Sequence, residues 1–208
     1  MVDQNALGTR TTDRLLLEKL RPGDIATHCF AWNKPIIGDD GRVKTHFREA
    51  RERGVQFDIG SGNNSSSFAM AKPAVEQGFL PDTISTDTRR KSLLSTFATM
   101  PETMSKMLAI GMPLASVIEA STITPARQLS HPELGSLSVG ADADIAVLEL
   151  TEGRFGLTDG GWTGFRVMHT DRRFVPQMTV REGVVVWDLN GRSHEDWTNT
   201  PPPDNRLP

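Results

Sequence analysis

Apolar residues in the first two thirds of the chain follow two periods that alternate along the sequence. Short β-branched and aromatic runs, typical of buried strands, occur at residues 24–30, 55–59 and 82–86. Between these runs, apolar residues recur every three or four positions among charged ones, which is typical of amphipathic helices. The alternation continues to about residue 130. It predicts an α/β fold in which helices cover a parallel sheet.

Several segments have the helical period. Pro73 lies within one of them, and it must occupy the first turn or kink the helix. Thr124 and Pro125 are a typical cap and first position of one more helix. His46 is expected on a solvated helix face rather than in a binding site. The expected helices cover residues 13–20, 43–53, 68–77, 102–110 and 114–120.

From Gly135 the pattern changes to glycine-rich turns and runs of period two, at residues 143–150 and 178–187. Glu182 and Gly183 suit a hairpin turn within the second run. This pattern indicates antiparallel strands. The expected parts of the chain are residues 1–133, an α/β unit; residues 134–189, a β-strand unit; and residues 190–208, a polar tail without order.

Charge and composition narrow the class of function. Lys and Arg number 23 against 26 Asp and Glu, and the net charge of −3 does not favour nucleic-acid binding. No apolar run reaches the roughly 18 residues that span a bilayer, and the start lacks the pattern of a signal peptide. We therefore expect a cytoplasmic protein that binds a small molecule and neither nucleic acid nor membrane. Because Cys29 is the single cysteine, a metal would need histidine and carboxylate ligands.

Polar residues stand where the expected strands end. His28 lies near the end of the first, a loop of Gly60, Ser61 and Gly62 follows the second, and Asp87 follows the third. Carboxyl ends of parallel strands form one rim, where α/β enzymes place acids, bases and metal ligands. His28 and Asp87 could bind a divalent metal or act as an acid–base pair. Alternatively, His28 is hydrogen-bonded in the core and Asp87 caps the next helix.

Two basic residues follow Asp87 directly. Arg89 and Arg90 could bind the carboxylate of a substrate above the rim, because a guanidinium pairs with a carboxylate through two hydrogen bonds. Alternatively, they are solvated loop charges.

Six motifs occur in an order and with separations that resemble the amidohydrolase superfamily, and within it the dihydroorotase-like deacetylases. The resemblance extends from about residue 12 to about residue 187. The motifs are residues 20–30, 53–60, 78–87, 103–106, 122–126 and 134–145.

This resemblance implies a partial (β/α)8 barrel over residues 1–133, about strands five to eight with their helices, followed by β-sandwich strands over 134–189. It also implies hydrolysis of amide or ester bonds of small molecules, such as N-acyl amino acids or cyclic amides. The water would be activated by a divalent metal, which we expect to be zinc. His28 matches the fifth-strand ligand of the second metal. Asp87 matches the eighth-strand aspartate that binds the first metal and transfers protons.

The sequence departs from the family pattern at several positions. Ser61 stands where the family has a metal-binding histidine, and a hydroxyl is a poor zinc ligand. Ser61 is therefore a candidate for substrate contact, as are Arg89, which stands where most relatives have histidine, and Arg90. The first-strand His-x-His and the bridging lysine are absent, because the chain begins just before the expected fifth strand. It could therefore be a half-barrel without activity of its own, or a homo-oligomer that completes a barrel.

Overall fold

The structure, a computed structural model, describes residues 1–3, 12–62, 65–90, 99–159 and 166–199. In these residues the helices are α1 Asp13–Lys19, α2 Thr45–Glu52, α3 Phe68–Glu76, α4 Met100–Ala109, α5 Leu114–Ser121 and α6 Ile123–Gln128. The strands are β1 Val2–Asp3, β2 Ile25–Thr27, β3 Gln56–Phe57, β4 Ile145–Thr158, β5 Val167–Arg181 and β6 Val184–Asp188.

The first sheet is parallel, with the strand order β1-β2-β3. This confirms the α/β class and the parallel sheet predicted from the alternating periods. The described strands form an open sheet, so the partial barrel stays a prediction. None of the helices in the described ranges is long and apolar enough to cross a membrane.

Residues 82–86 lie beside β3 but do not form the regular third strand that their β-branched pattern predicts. Thr83 makes one parallel bridge, to Asp58. The N–H groups of Ser61 and Gly62 donate to carbonyls of this segment, each at 2.9 Å. On its other side, however, the N–H of Ile84 donates to the carbonyl of Ala120 at the end of α5. Because a helix end replaces a neighbouring strand there, the ladder is irregular.

Most predicted helices are confirmed to within two residues at each end, but the predicted cap of the last helix is wrong. Pro73 is the sixth residue of α3, so of its two predicted roles the position in the first turn is excluded and the kink stays a prediction. The last helix begins at Ile123 with Thr122 at its N-cap, so Thr124 is not the cap. Pro125 is tolerated at the third position, because the first N–H groups of a helix have no partner within it.

Buried aromatic rings fix the helices against the parallel sheet. Phe47 of α2, Phe57 of β3 and Phe79 after α3 contact one another with ring centroids 5.0 to 6.4 Å apart. The guanidinium of Arg51 lies 3.8 Å from the Phe79 centroid and 3.3 Å from the carboxylate of Asp82. Burial lowers the pKa of Arg51, which the charge of Asp82 partly offsets. This cluster places the segment that leads to Asp87 next to β3.

The second sheet is antiparallel, in the order β4-β5-β6. Arg181 pairs with Val184, which confirms the predicted hairpin at Glu182 and Gly183. The sheet is attached to α4, since the N–H of buried Phe174 donates to Ser105 Oγ at 2.9 Å. The described residues form one layer here, so the β-sandwich stays a prediction.

Part of the tail that was expected to lack order is folded. The carboxylate of Asp188 accepts hydrogen bonds from the N–H groups of Asn190 and Ser193, at 3.1 and 2.7 Å. These bonds lower the pKa of Asp188 to about 2, the bond from Ser193 most. A short 3-10 helix follows at Trp197–Asn199. The remaining tail, 200–208, lies outside the described residues.

Candidate functional site

The carboxyl ends of the parallel strands bring polar residues to one edge of the sheet. Asp3 ends β1, His28 follows β2, the loop of Gly60 to Gly62 follows β3, and Asp87 follows the segment beside β3. The neighbouring positions of β1 and β2 are in register, with Asp3 opposite Thr27. The structure thus places His28, Ser61 and Asp87 on the same rim.

His28 has a left-handed backbone and a buried, oriented ring. Its φ is +64° and only 5% of the residue is exposed. Such a conformation costs a non-glycine residue about 1 to 2 kcal/mol. Nδ1 lies 2.8 Å from the carbonyl of Gly60. Because a carbonyl can only accept, Nδ1 donates, and the Nε2 atom lies 3.4 Å from Oδ1 of Asp3. The ring is thus hydrogen-bonded within the core on one side and faces a rim carboxylate on the other.

Asp87 also has a left-handed backbone, with φ at +43°. Its half-buried carboxylate accepts a hydrogen bond at Oδ2 from the guanidinium of Arg89. A Cβ on Gly62 would lie 2.6 Å from the same oxygen, so a side chain there would displace the carboxylate. Non-glycine residues in this region cluster at functional sites, where the surroundings hold them in place. The alternative role of Asp87 as a cap of the next helix concerns residues 91–98, outside the described ranges.

The other candidate residues differ in accessibility. Ser61 is buried, and its N–H donates to the carbonyl of Ser85 at 2.9 Å. The guanidinium of Arg89 is engaged by Asp87, and Arg90 is exposed. Substrate contacts of Ser61, Arg89 and Arg90 therefore stay predictions.

The donors at this rim are too few for a tightly bound zinc ion. In the part of the chain that the structure describes, no group of three or more His, Cys, Asp or Glu side chains could share an ion. Protein zinc sites use at least three such ligands. With Ser61 in the loop, His28 and Asp87 are the two donors that match, and a guanidinium already contacts Asp87. The donor set of the described residues therefore does not fit a tightly bound zinc ion.

A buried carboxylate that the sequence interpretation missed lies directly below the rim. Asp58 accepts hydrogen bonds from the hydroxyls of Thr27, Ser85 and Thr83, at 2.5, 2.7 and 2.8 Å. The sequence did contain a signal, because Asp58 is a charged residue inside the apolar run 55–59.

Burial raises the pKa of the Cys29 thiol well above its usual range, and the charge of Asp58 raises it further. Cys29 is therefore neutral and not a nucleophile.

The prediction for His46 is wrong. Only 10% of its side chain is exposed, and its Nε2 lies 3.1 Å from Oδ2 of Asp13. Lys44 contacts the same oxygen at 3.1 Å. Burial acts to raise the pKa of Asp13, but the hydrogen bonds from Lys44 and His46 outweigh it and lower the pKa. Because α1 packs on α2, the helix face that carries His46 is covered rather than solvated.

A cavity of about 360 Å³ lies away from the rim, between α4, α5 and β4. Its lining is mainly apolar and includes Met104, Ile118 and Leu148. Among the described residues that line it, Asp144 is the one ionisable side chain, and it accepts a hydrogen bond from the N–H of Glu182. These lining residues therefore offer no acid–base pair, whereas the rim has a carboxylate and an imidazole.

A comparison of the sequence with protein-family models identifies the family. Residues 5–186 match the family model described as "Amidohydrolase family". The chain belongs to the amidohydrolase family. The resemblance stated from the six motifs is therefore confirmed.

Relatives in this family include proteins named as deacetylases. A deacetylase of Brucella anthropi and one of Agrobacterium fabrum are each 36% identical over 167 residues, which cover 79% of this chain and 40% of theirs. Among solved structures, an adenine deaminase superimposes with a TM-score of 0.79 at 28% identity, over 85% of this chain and 48% of that chain. A dihydroorotase gives 0.75 at 34% identity, over 84% and 47%. The chain thus spans less than half the length of these relatives.

Proposed function

We propose that this chain supplies part of an amide-hydrolysing site, in which Asp87 transfers protons. The observation that carries the proposal is the position of Asp87: its half-buried carboxylate stands at the rim of the parallel sheet, next to the loop that binds His28. Membership of the amidohydrolase family and the likeness to proteins named as deacetylases support the reaction class.

In this proposal Asp87 acts first as a base and then as an acid. It removes a proton from water as the water oxygen bonds to the carbonyl carbon of the amide. It then gives that proton to the nitrogen as the C–N bond breaks, which leaves a carboxylic acid and an amine. Because Arg89 contacts Oδ2, we assign the proton transfer to Oδ1.

His28 presents its Nε2 atom at the same rim, since Nδ1 donates to the carbonyl of Gly60. A neutral ring in this state has its lone pair on Nε2, where it can orient water or bind a metal. We propose metal dependence only for a site in which at least one further metal ligand joins His28 and Asp87. His28 and Asp87 would be the ligands from this chain, and the metal would lower the pKa of bound water.

For the substrate, we propose a small N-acyl amino acid or cyclic amide. One basic residue supports this class, because Arg90 is exposed and lies three positions after Asp87 in the sequence. A guanidinium there can pair with the carboxylate of an amino acid while Asp87 acts at the acyl carbon.

The test compares the purified chain with two variants on a panel of N-acetyl amino acids, with and without added zinc. Asp87→Asn keeps the shape but cannot transfer the proton, so kcat/KM should fall by about 100-fold or more. Asp171→Asn is the matched control, since its side chain is 85% exposed on the second sheet, and it should leave hydrolysis unchanged. A wild-type rate no higher than that of Asp87→Asn would contradict the proposal.

A further inference from the structure

We propose that Asp58 is a positioning residue, which fixes the backbone and the ring orientation of His28 through three separate links. Asp58 follows β3 and is 1% exposed. Its carboxylate takes part in none of the ion pairs found among the described residues. Three hydroxyls donate to it instead, from Thr27, Thr83 and Ser85. Burying a carboxylate costs free energy unless hydrogen bonds compensate for the lost water. An apolar side chain would fill the same space without that cost, so we expect the role of Asp58 to lie in these hydrogen bonds.

Two of the links hold the residues on either side of His28. The hydroxyl of Thr27 donates to Oδ2 of Asp58 at 2.5 Å. The N–H of Cys29 donates to the backbone carbonyl of Asp58 at 3.1 Å. Residue 58 therefore holds the chain immediately before and immediately after the left-handed turn at His28.

The third link reaches the imidazole itself. Ser85 Oγ donates to Oδ2 of Asp58 at 2.7 Å and accepts from the N–H of Gly60 at 3.2 Å. The carbonyl of Gly60 in turn accepts from Nδ1 of His28 at 2.8 Å. The orientation of the Gly60 backbone, and with it the acceptor for Nδ1, thus depends on the hydroxyl that Asp58 orients.

These links explain how His28 keeps an unfavourable backbone conformation. Left-handed non-glycine residues persist only where the surroundings over-determine them, and Asp58 contributes to all three restraints described here. They also select the tautomer of the neutral imidazole. Nδ1 must carry the proton to donate to the Gly60 carbonyl, and the unprotonated Nε2 then faces the rim. Partners that orient a functional histidine typically change activity or metal affinity by about 10- to 100-fold when removed. This catalytic consequence rests on the proposed function, whereas the orientation of His28 does not.

The experiment uses three variants of the full chain with ¹⁵N-labelled histidine. Asp58→Asn and Ser85→Ala break the link to Gly60. Thr83→Val is the matched control: it removes another hydroxyl donor from the same carboxylate, but one whose hydroxyl is hydrogen-bonded to neither Gly60 nor His28. At a pH where His28 is neutral, the ring ¹⁵N shifts report which nitrogen carries the proton.

We expect the wild type and Thr83→Val to show the Nδ1–H form of His28. Asp58→Asn and Ser85→Ala should shift His28 to a mixture with the Nε2–H form. If Asp58→Asn does not fold, Ser85→Ala carries the test alone. An Nδ1–H form that persists in every folded variant would overturn the proposal, as would an equal shift in Thr83→Val. Because this readout needs no substrate, its failure is distinguishable from a failure of the hydrolysis proposal, which is measured by kcat/KM.

Discussion

Gly60 is the position at which one added methyl group should disturb the rim most. Its φ is +52°, and a Cβ built there would overlap Nδ1 of His28 and lie 2.5 Å from Oγ1 of Thr27. Gly60→Ala would therefore force the ring and the threonine apart. The hydrogen bond from Nδ1 to the Gly60 carbonyl could not keep its present geometry.

The expected loss of stability has three sources. A left-handed alanine costs about 1 to 2 kcal/mol, overpacking of a rigid site costs about 1 to 3 kcal/mol, and the lost hydrogen bond costs about 0.5 to 1.5 kcal/mol. The loss for Gly60→Ala should thus be about 2.5 to 6.5 kcal/mol. Gly78→Ala is the matched control, because Gly78 also has a positive φ, of +77°, but a Cβ added there would meet nothing within 4 Å. The free energy of unfolding of Gly78→Ala should fall only by the cost of a left-handed alanine, about 1 to 2 kcal/mol.

Urea denaturation of both variants, followed by circular dichroism, measures the two losses under identical conditions. The difference between them isolates the close approach of Gly60 to His28 and should be about 1.5 to 4.5 kcal/mol. Equal losses to within about 0.5 kcal/mol would refute the proposed contact between the loop and the histidine.

Two further predictions concern the loop and the first helix pair. Ser61→His places a third metal donor on the rim, a second imidazole beside His28 and the Asp87 carboxylate, so zinc affinity in calorimetric titration should rise at least about tenfold. Unchanged affinity would show that this position does not face His28 and Asp87. For Asp13, hydrogen bonds from Lys44 and His46 lower the pKa below its ordinary value of 3.8 in the folded state. Its stabilising contribution is therefore present at neutral pH and is lost as the pH falls below 3.8 through the folded pKa. The free energy of unfolding of Asp13→Asn should accordingly be lower than that of the wild type at pH 7 and approach it below pH 3.8, and a difference independent of pH would contradict this.

Much of the fold could be predicted from local pattern, because each helix and strand carries its own period. The rim could also be predicted: parallel strands share their carboxyl ends, so His28, Ser61 and Asp87 had to lie at one edge. The irregular pairing of residues 82–86 could not, since it depends on the carbonyl of Ala120 at a distant helix end.

The network around Asp58 escaped the sequence interpretation for a similar reason. Its hydroxyl donors, Thr27, Thr83 and Ser85, lie 25 to 31 residues from it along the chain. Each is an ordinary strand residue on its own, and only the register of three segments brings them together. The burial of His46 likewise depends on which helix covers its face, and the period of α2 alone does not contain that information.

In the proposed function, His28 and Asp87 act in one amide-hydrolysing site. The decisive measurement is a double-mutant cycle on kcat/KM for an N-acetyl amino acid, with His28→Ala, Asp87→Asn and both together. Groups that act as a unit have strongly non-additive effects, so the double variant should be scarcely slower than the slower single variant. Single variants that hydrolyse as fast as the wild type, or losses that simply multiply in the double variant, would contradict the account.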